Sequence, residues 1–233
     1  MVTPKAILFD KDGTLLDYWA SWGPVNRAAV KLAAAGDDVL ARRLFQVGGI
    51  DETGRAADAH SLLAAGSAYD IARIWVVAGA RFTVPALTRA LDDLFRASVA
   101  DMVPVGDLAA VLGALKARGL SLGIASSDGE AAIRLTVERF GLGELIDFVA
   151  GYDSGHGPKP EPGMVHAFCR AVDLPPADVA MVGDTLHDLD MGRAAGCGLR
   201  IGVLTGTGSR AVLAEAADLV LDDITALEAA LFG

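Results

Sequence analysis

Ile7-Leu8-Phe9-Asp10-Lys11-Asp12-Gly13-Thr14-Leu15-Leu16-Asp17 is the stretch on which the reading of this chain turns. It follows Ala6 as a run of apolar residues and breaks abruptly into carboxylates. A short run that is apolar at every position suits a strand covered on both faces, as in a parallel sheet. Strand alternation puts Asp10 and Asp12 on one side and Lys11 on the other. Two carboxylates crowded at a strand end repel each other, and a divalent cation or a shared proton must offset that. Gly13 then permits a sharp turn. Ligands of open α/β sheets gather at the carboxyl ends of the strands, so the first candidate site lies here.

Further apolar runs occupy residues 120–125, 148–150, 179–182, 199–204 and 219–221. Helical patterns separate them, at 108–118, 129–140, 162–172, 186–195 and 225–231. Leu108, Val111, Leu112 and Leu115 show the i, i+3, i+4, i+7 spacing, and Gly119 ends the pattern. Strand–helix alternation from about residue 105 onward means α/β with right-handed crossovers. Residues 18–100 break the alternation. They carry helix-like segments at 25–34, 38–46, 68–78 and 85–99 and no convincing strand, which reads as a helical insertion after the first strand.

Composition narrows the function classes. The 233 residues are 52% hydrophobic, enough for a sizeable core and against disorder. The net charge of −10 repels phosphate backbones and anionic lipids, so neither nucleic acid nor a membrane surface is the expected partner. Two cysteines, Cys169 and Cys197, argue against a disulfide scaffold and a cysteine zinc site, and both read as small core residues. The four histidines show no metal-ligand spacing. No apolar window reaches the roughly 18–20 residues of a membrane span. No signal peptide is evident, and a reduced, cytoplasmic setting is expected. Alanine-rich stretches at 56–72 and 211–217 read as soluble helices.

The Asp10-Lys11-Asp12-Gly13-Thr14 segment resembles the first motif of the haloacid dehalogenase superfamily of phosphohydrolases, Asp-x-Asp-Gly-Thr at the end of strand one. Lys11 departs from the apolar residue often found there; facing away from the site, it is expected to pair with Asp128 or another nearby carboxylate. The remaining motifs follow in order. Ser126 ends the second core run and supplies a hydroxyl able to donate to a phosphoryl oxygen. Ser127 and Glu130 fit a capping box and read as structural. Gly157-Pro158-Lys159-Pro160-Glu161-Pro162 matches the family's Lys-Pro-x-Pro form, the prolines presetting the backbone around Lys159. Val182-Gly183-Asp184-Thr185-Leu186-His187-Asp188 matches Gly-Asp-x-x-x-Asp, with both aspartates able to reach one side of a cation.

The resemblance covers residues 5–17 and about 105–223. It implies a Rossmann-like parallel sheet core (1–17 and 101–233) with an inserted α-helical cap domain (18–100). It also implies a Mg²⁺-dependent, phosphoglycolate phosphatase-like enzyme acting on a small phosphate ester, as a monomer or homodimer. Asp10 takes the nucleophile position and Asp12 the general acid/base position. Asp10, Asp184 and Asp188, with the Asp12 carbonyl, take the metal positions. Thr14, Ser126 and Lys159 fall to the phosphoryl group, and Arg55 in the cap could meet a second anionic group. The polar stretch 48–55 looks suited to closing over a substrate. Trp19 and Trp22 read as anchors of the first cap helix rather than lining of the entrance. Hinges are expected near 17–20 and 100–104. A β-phosphoglucomutase-type mutase would use the same core residues, and a non-catalytic binding protein on the scaffold would usually have lost one of them. A phosphonatase needs a cap lysine, and the cap has only Lys31, early in a helix.

Overall fold

The computed structural model describes residues 3–53 and 61–233. Its centre is a six-stranded, all-parallel sheet of β1 (Ala6–Phe9), β2 (Ser121–Ala125), β3 (Phe148–Ala150), β4 (Val179–Gly183), β5 (Leu199–Val203) and β6 (Leu219–Leu221). The spatial order is β3-β2-β1-β4-β5-β6, a Rossmann-like arrangement. β1 is central and fully buried because helices cover both faces of the sheet. Ile7 and Phe9 point into one apolar layer with α6 (Leu108–Ala117), α7 (Glu130–Arg139) and α11 (Leu227–Phe232). Ala6 and Leu8 point into the other, with α8 (Gly163–Val172) and α9 (Leu186–Ala195). A short α10 (Arg210–Leu213) precedes β6; the expected alanine-rich helix there ends sooner.

Register aligns the strand ends. Phe9 pairs with Ile124 on one side and Val182 on the other. Asp10, Ser126 and Asp184 therefore leave the sheet along one edge, each within two residues of those partners.

The helical insertion holds α1 (Tyr18–Ala34), α2 (Asp38–Gly48), α3 (Leu62–Ala65), α4 (Ala68–Val77) and α5 (Val84–Ser98), with no strand among the described residues. α1 starts seven residues before the expected Val25. Pro24 and Gly23 disfavour helix in sequence, since proline forfeits an i→i−4 bond. The Asp17 carboxylate caps Ala20 N at 2.9 Å, and burial of Tyr18, Trp22 and Val25 outweighs the penalty. Residues 56–60 of the alanine-rich stretch lie outside the described residues; the remainder holds α3 and the start of α4, which are separated at Gly66, with Ser67 starting α4 afresh with a capping box. Gly48-Gly49 is the end of α2 and Ile50 is buried, so the first part of the expected mobile stretch is packed. The two links to the core run side by side: Leu16 bridges Pro104, Asp17 N donates to Val103 O (2.9 Å), and Val103 N donates to Ser21 Oγ (3.0 Å).

Candidate active site

The carboxyl ends of β1, β2 and β4 open into a narrow pocket that reaches solvent. Its floor is Asp10, Asp12, Ser126, Lys159, Asp184 and Asp188. Its roof comes from the helical insertion and is largely apolar, with Tyr18, Trp22, Leu63, Ala64, Ile71 and Phe95. Among the residues expected at the site, Thr14 stands apart. It is fully buried, its hydroxyl has no hydrogen-bond partner among the described residues, and it is not part of the lining. Arg55 lies outside the described residues.

Lys159 organises the floor. Its ammonium donates to Asp10 Oδ1 at 2.6 Å and Asp188 Oδ1 at 2.7 Å, and its side chain is 3% exposed. The 158–162 loop holds it there, with the Lys159–Pro160 peptide bond cis. Burial alone would discharge this lysine, but Asp10 and Asp188 together outweigh it and raise its pKa above the ordinary range. Burial pushes the Asp10 carboxyl up to about 7; Lys159 opposes the rise, while Asp188 and Asp12 add to it. Burial also holds Asp184 well above the usual carboxylate range, with repulsion from Asp10 and Asp188 adding. The cluster therefore carries more negative charge than one lysine balances.

That imbalance suits a cation. Asp10, Asp184 and Asp188 each offer an oxygen within 4.8 Å of the others. Asp10 Oδ2 is buried without a hydrogen-bond partner among the described residues. Hard carboxylate oxygens with an unsatisfied member are the donor set Mg²⁺ favours. Asp188 Oδ2 is already held by Thr185 N (3.1 Å) and Thr185 Oγ1 (2.7 Å) at the start of α9.

Five contacts escaped the sequence reading or corrected it. Thr207 N donates to Asp184 Oδ2 at 2.8 Å and Thr205 Oγ1 to Gly13 O at 2.6 Å, so the 204–209 loop after β5 belongs to the site. The Thr205-Gly206-Thr207-Gly208 run at a strand end was the available signal. Trp22 does more than anchor α1, since it lines the pocket and its indole N–H donates to Asp12 Oδ1 at 2.9 Å. Lys11 pairs with Asp128 (3.1 Å) as expected but does not face away from the site; fully buried, it also reaches Asp12 Oδ2 at 2.7 Å. The strand ends at Phe9, so its alternation no longer governs residue 11. Ser127 and Glu130 form no capping box. α7 begins at Glu130, whose N–H is taken by Asp153 Oδ1 (2.8 Å), and Ser127 lines the pocket.

The haloacid dehalogenase-like hydrolase family model matches residues 4–196. The chain belongs to that family. It is an enzyme of the hydrolase class, as the expected fold and motifs implied. A phosphoglycolate phosphatase of Rhodospirillum rubrum is 32% identical over 239 residues, spanning 96% of this chain and 89% of that one. The probable phosphatase IndB of Dickeya dadantii is 37% identical over 112 residues, 48% of each chain. In three dimensions, CbbY of Rhodobacter sphaeroides, solved in complex with phosphate, superposes with a TM-score of 0.75 at 22% identity, covering 96% of both chains. No helix among the described residues is long and apolar enough to cross a membrane.

Proposed function

We propose that this haloacid dehalogenase-like hydrolase is a Mg²⁺-dependent phosphatase. Its substrate would be a small phosphomonoester of the phosphoglycolate or sugar-phosphate kind, hydrolysed through a phosphoryl group carried on Asp10. The observation that carries the reading is Lys159 set between Asp10 and Asp188, with Asp184 in the same cluster and Asp12 in the same pocket. The R. rubrum relative, named a phosphoglycolate phosphatase, supports the substrate class.

Asp10 and Asp184 would hold the ion through their side chains and Asp12 through its backbone carbonyl, with Asp188 direct or through water. When bound, Mg²⁺ offsets the negative charge gathered on the carboxylates and the phosphoryl group. The Asp10 carboxylate attacks phosphorus, and the bond from phosphorus to the ester oxygen breaks. Asp12 gives a proton to the departing oxygen. It then takes one from the water that attacks the phosphorylated Asp10, which frees inorganic phosphate and restores the carboxylate. Ser126 Oγ accepts from Asp128 N (3.1 Å), which leaves its own proton free for a phosphoryl oxygen. Lys159 supplies fixed positive charge to the same group, and in phosphoryl transfer such positioning provides most of the catalysis. The helical insertion acts as the cap and sets a largely apolar roof over the floor of the site.

Phosphate release from a panel of small phosphomonoesters, with Mg²⁺ and with EDTA, tests the reading. Release from at least one ester is expected, falling at least ~100-fold in EDTA because charge neutralisation is lost. Equal rates in EDTA, or sugar phosphates isomerised without release, would contradict it.

The metal also has a thermal signature. In the metal-free protein, folded Asp10 keeps a proton up to about pH 7, and Asp184 is shifted the same way. The unfolded chain loses these protons near pH ~3.9. The folded state thus binds more protons between about pH 4 and 7, and its stability falls as pH rises through that window. A cation replaces those protons, so it should stabilise more at pH 8 than at pH 5.5. At roughly ten times its Kd, Mg²⁺ should raise Tm at pH 8 by about 3–6 °C over EDTA. An equal or larger shift at pH 5.5 would count against the carboxylate cluster as the ion's site.

A further inference from the structure

The family motif has no fixed residue between the two aspartates, and nothing in it concerns the face of the first cap helix. In this chain both places hold a donor aimed at the same carboxylate. Lys11 Nζ lies 2.8 Å from Asp12 Oδ1 and 2.7 Å from Oδ2, and Trp22 Nε1 lies 2.9 Å from Oδ1. Oδ1 thus accepts two donors and Oδ2 one. The indole is itself fixed. Trp22 is 6% exposed, stacked on Tyr18 (6.3 Å between ring centroids) and edge-on to Phe95 of α5 (5.2 Å). Lys11 is fixed as well, with its Nζ 3.1 Å from Asp128 Oδ2 and 5.8 Å from the Trp22 ring centroid. Asp128 continues the chain of contacts, because its N–H donates to Ser126 Oγ (3.1 Å) and its Oδ1 accepts from Gly129 N (2.8 Å).

We propose that Lys11 and Trp22 are positioning residues for Asp12: they clamp its carboxylate, one from the core and one from the cap, so that Oδ2 is the oxygen that exchanges a proton with the ester oxygen. Lys11 ties the orientation of Asp12 to the loop that carries Ser126. Trp22 ties it to α1, so that proton transfer is in register only while that helix rests on the core. The inference rests on the proposed phosphatase reading, with Asp12 as general acid/base. A misoriented acid costs most where the leaving oxygen cannot depart without a proton. A purely structural role for the same contacts, satisfying a buried indole and balancing two carboxylates, makes no distinction between leaving groups.

The leaving group therefore decides. kcat/KM reports the steps through departure of the alcohol, and it is to be measured with saturating Mg²⁺ on p-nitrophenyl phosphate and on ethyl phosphate. The nitrophenolate leaves unaided, whereas ethoxide needs the proton. Trp22→Phe keeps an aromatic ring between Tyr18 and Phe95 and removes the N–H together with part of the indole's volume, a packing loss that does not discriminate between leaving groups. Its fall in kcat/KM on ethyl phosphate should exceed that on p-nitrophenyl phosphate at least ~10-fold, in the direction that Asp12→Asn shows more strongly, since positioned acid–base groups contribute about 10²–10⁴-fold. Lys11→Arg keeps the charge beside Asp128 but changes the fork, and it should show the same split; it also serves if Trp22→Phe does not fold. Equal falls on both esters, no fall, or a gain on ethyl phosphate would overturn the clamp while leaving the phosphatase intact. Wild-type protein that releases phosphate from neither of these esters nor any of the panel above would overturn the phosphatase reading itself, and the clamp with it.

Discussion

Asp10→Asn is expected to reduce phosphate release by at least ~10⁴-fold while leaving the protein folded, as loss of a covalent nucleophile does. The amide is nearly isosteric, and its oxygen can still accept from Lys159, which donates to Asp10 Oδ1 at 2.6 Å in the native site. What it lacks is a carboxylate able to attack phosphorus. The substitution should also change stability in a definite direction. Burial raises the Asp10 pKa to about 7, so ionising it in the folded, metal-free protein is unfavourable. Stability is lost as pH rises from about 4 toward 7, and a neutral side chain removes that loss. Measured in EDTA at pH 8, Tm of Asp10→Asn should therefore equal or exceed that of the native protein, and its fall between pH 5 and 8 should be shallower. Activity within ten-fold of native would remove Asp10 from the nucleophile's place.

Gly206→Ala should also impair the enzyme, through metal binding and stability, although residue 206 belongs to none of the recognised motifs. The loop after β5 folds back over the site, with Trp19 Nε1 donating to Gly206 O (2.9 Å), Tyr18 N to Thr205 O (3.1 Å) and Thr207 N to Asp184 Oδ2 (2.8 Å). A β-carbon on Gly206 would overlap the Asp184 carboxylate, so the loop or the aspartate must move. Overpacking of this kind costs about 1–3 kcal/mol. Disturbing groups that orient a metal ligand costs about 10–100-fold in metal affinity. Both should appear, as a lower Tm and as a higher Mg²⁺ concentration for half-maximal activity. Gly113→Ala is the control, because a β-carbon there meets nothing within 4 Å and the residue sits inside α6. It should be neutral or slightly stabilising, since alanine is the better helix former. A Gly206→Ala protein with native Mg²⁺ dependence would exclude the loop from the site.

The two substitutions mark where sequence is informative. Asp10 could be found because its signal is local: an apolar run, a carboxylate at its end, and a second two residues on. Asp184 after β4 also ends an apolar run, whereas Ser126 after β2 stood out only through the order of the resembling motifs, because a small polar residue at a strand end is commonplace. Parallel strands in register place their ends along one edge, so finding the ends is enough to assemble the floor of the site. Strand and helix types were legible for the same reason, since periodicity is carried by neighbours in sequence. The start of α1 was not, because its Gly-Pro pair disfavours helix and only burial against the core overcomes that local preference.

The residues alone therefore settle a parallel α/β core, a helical insertion after the first strand, and a row of carboxylates with one lysine along the sheet's carboxyl edge. Which oxygen meets which donor is settled by folding. Lys11 turns inward because β1 has ended and two buried carboxylates, Asp12 and Asp128, lie within reach. Trp22 meets Asp12, and Thr207 meets Asp184, across 10 and 23 residues of chain. Asp153 caps α7 from beyond β3, 23 residues after Glu130. Hydrogen bonds and ion pairs act over about 3 Å in space and carry no period along the chain. Their partners are set by how helices and loops pack, and that is absent from any single stretch of sequence.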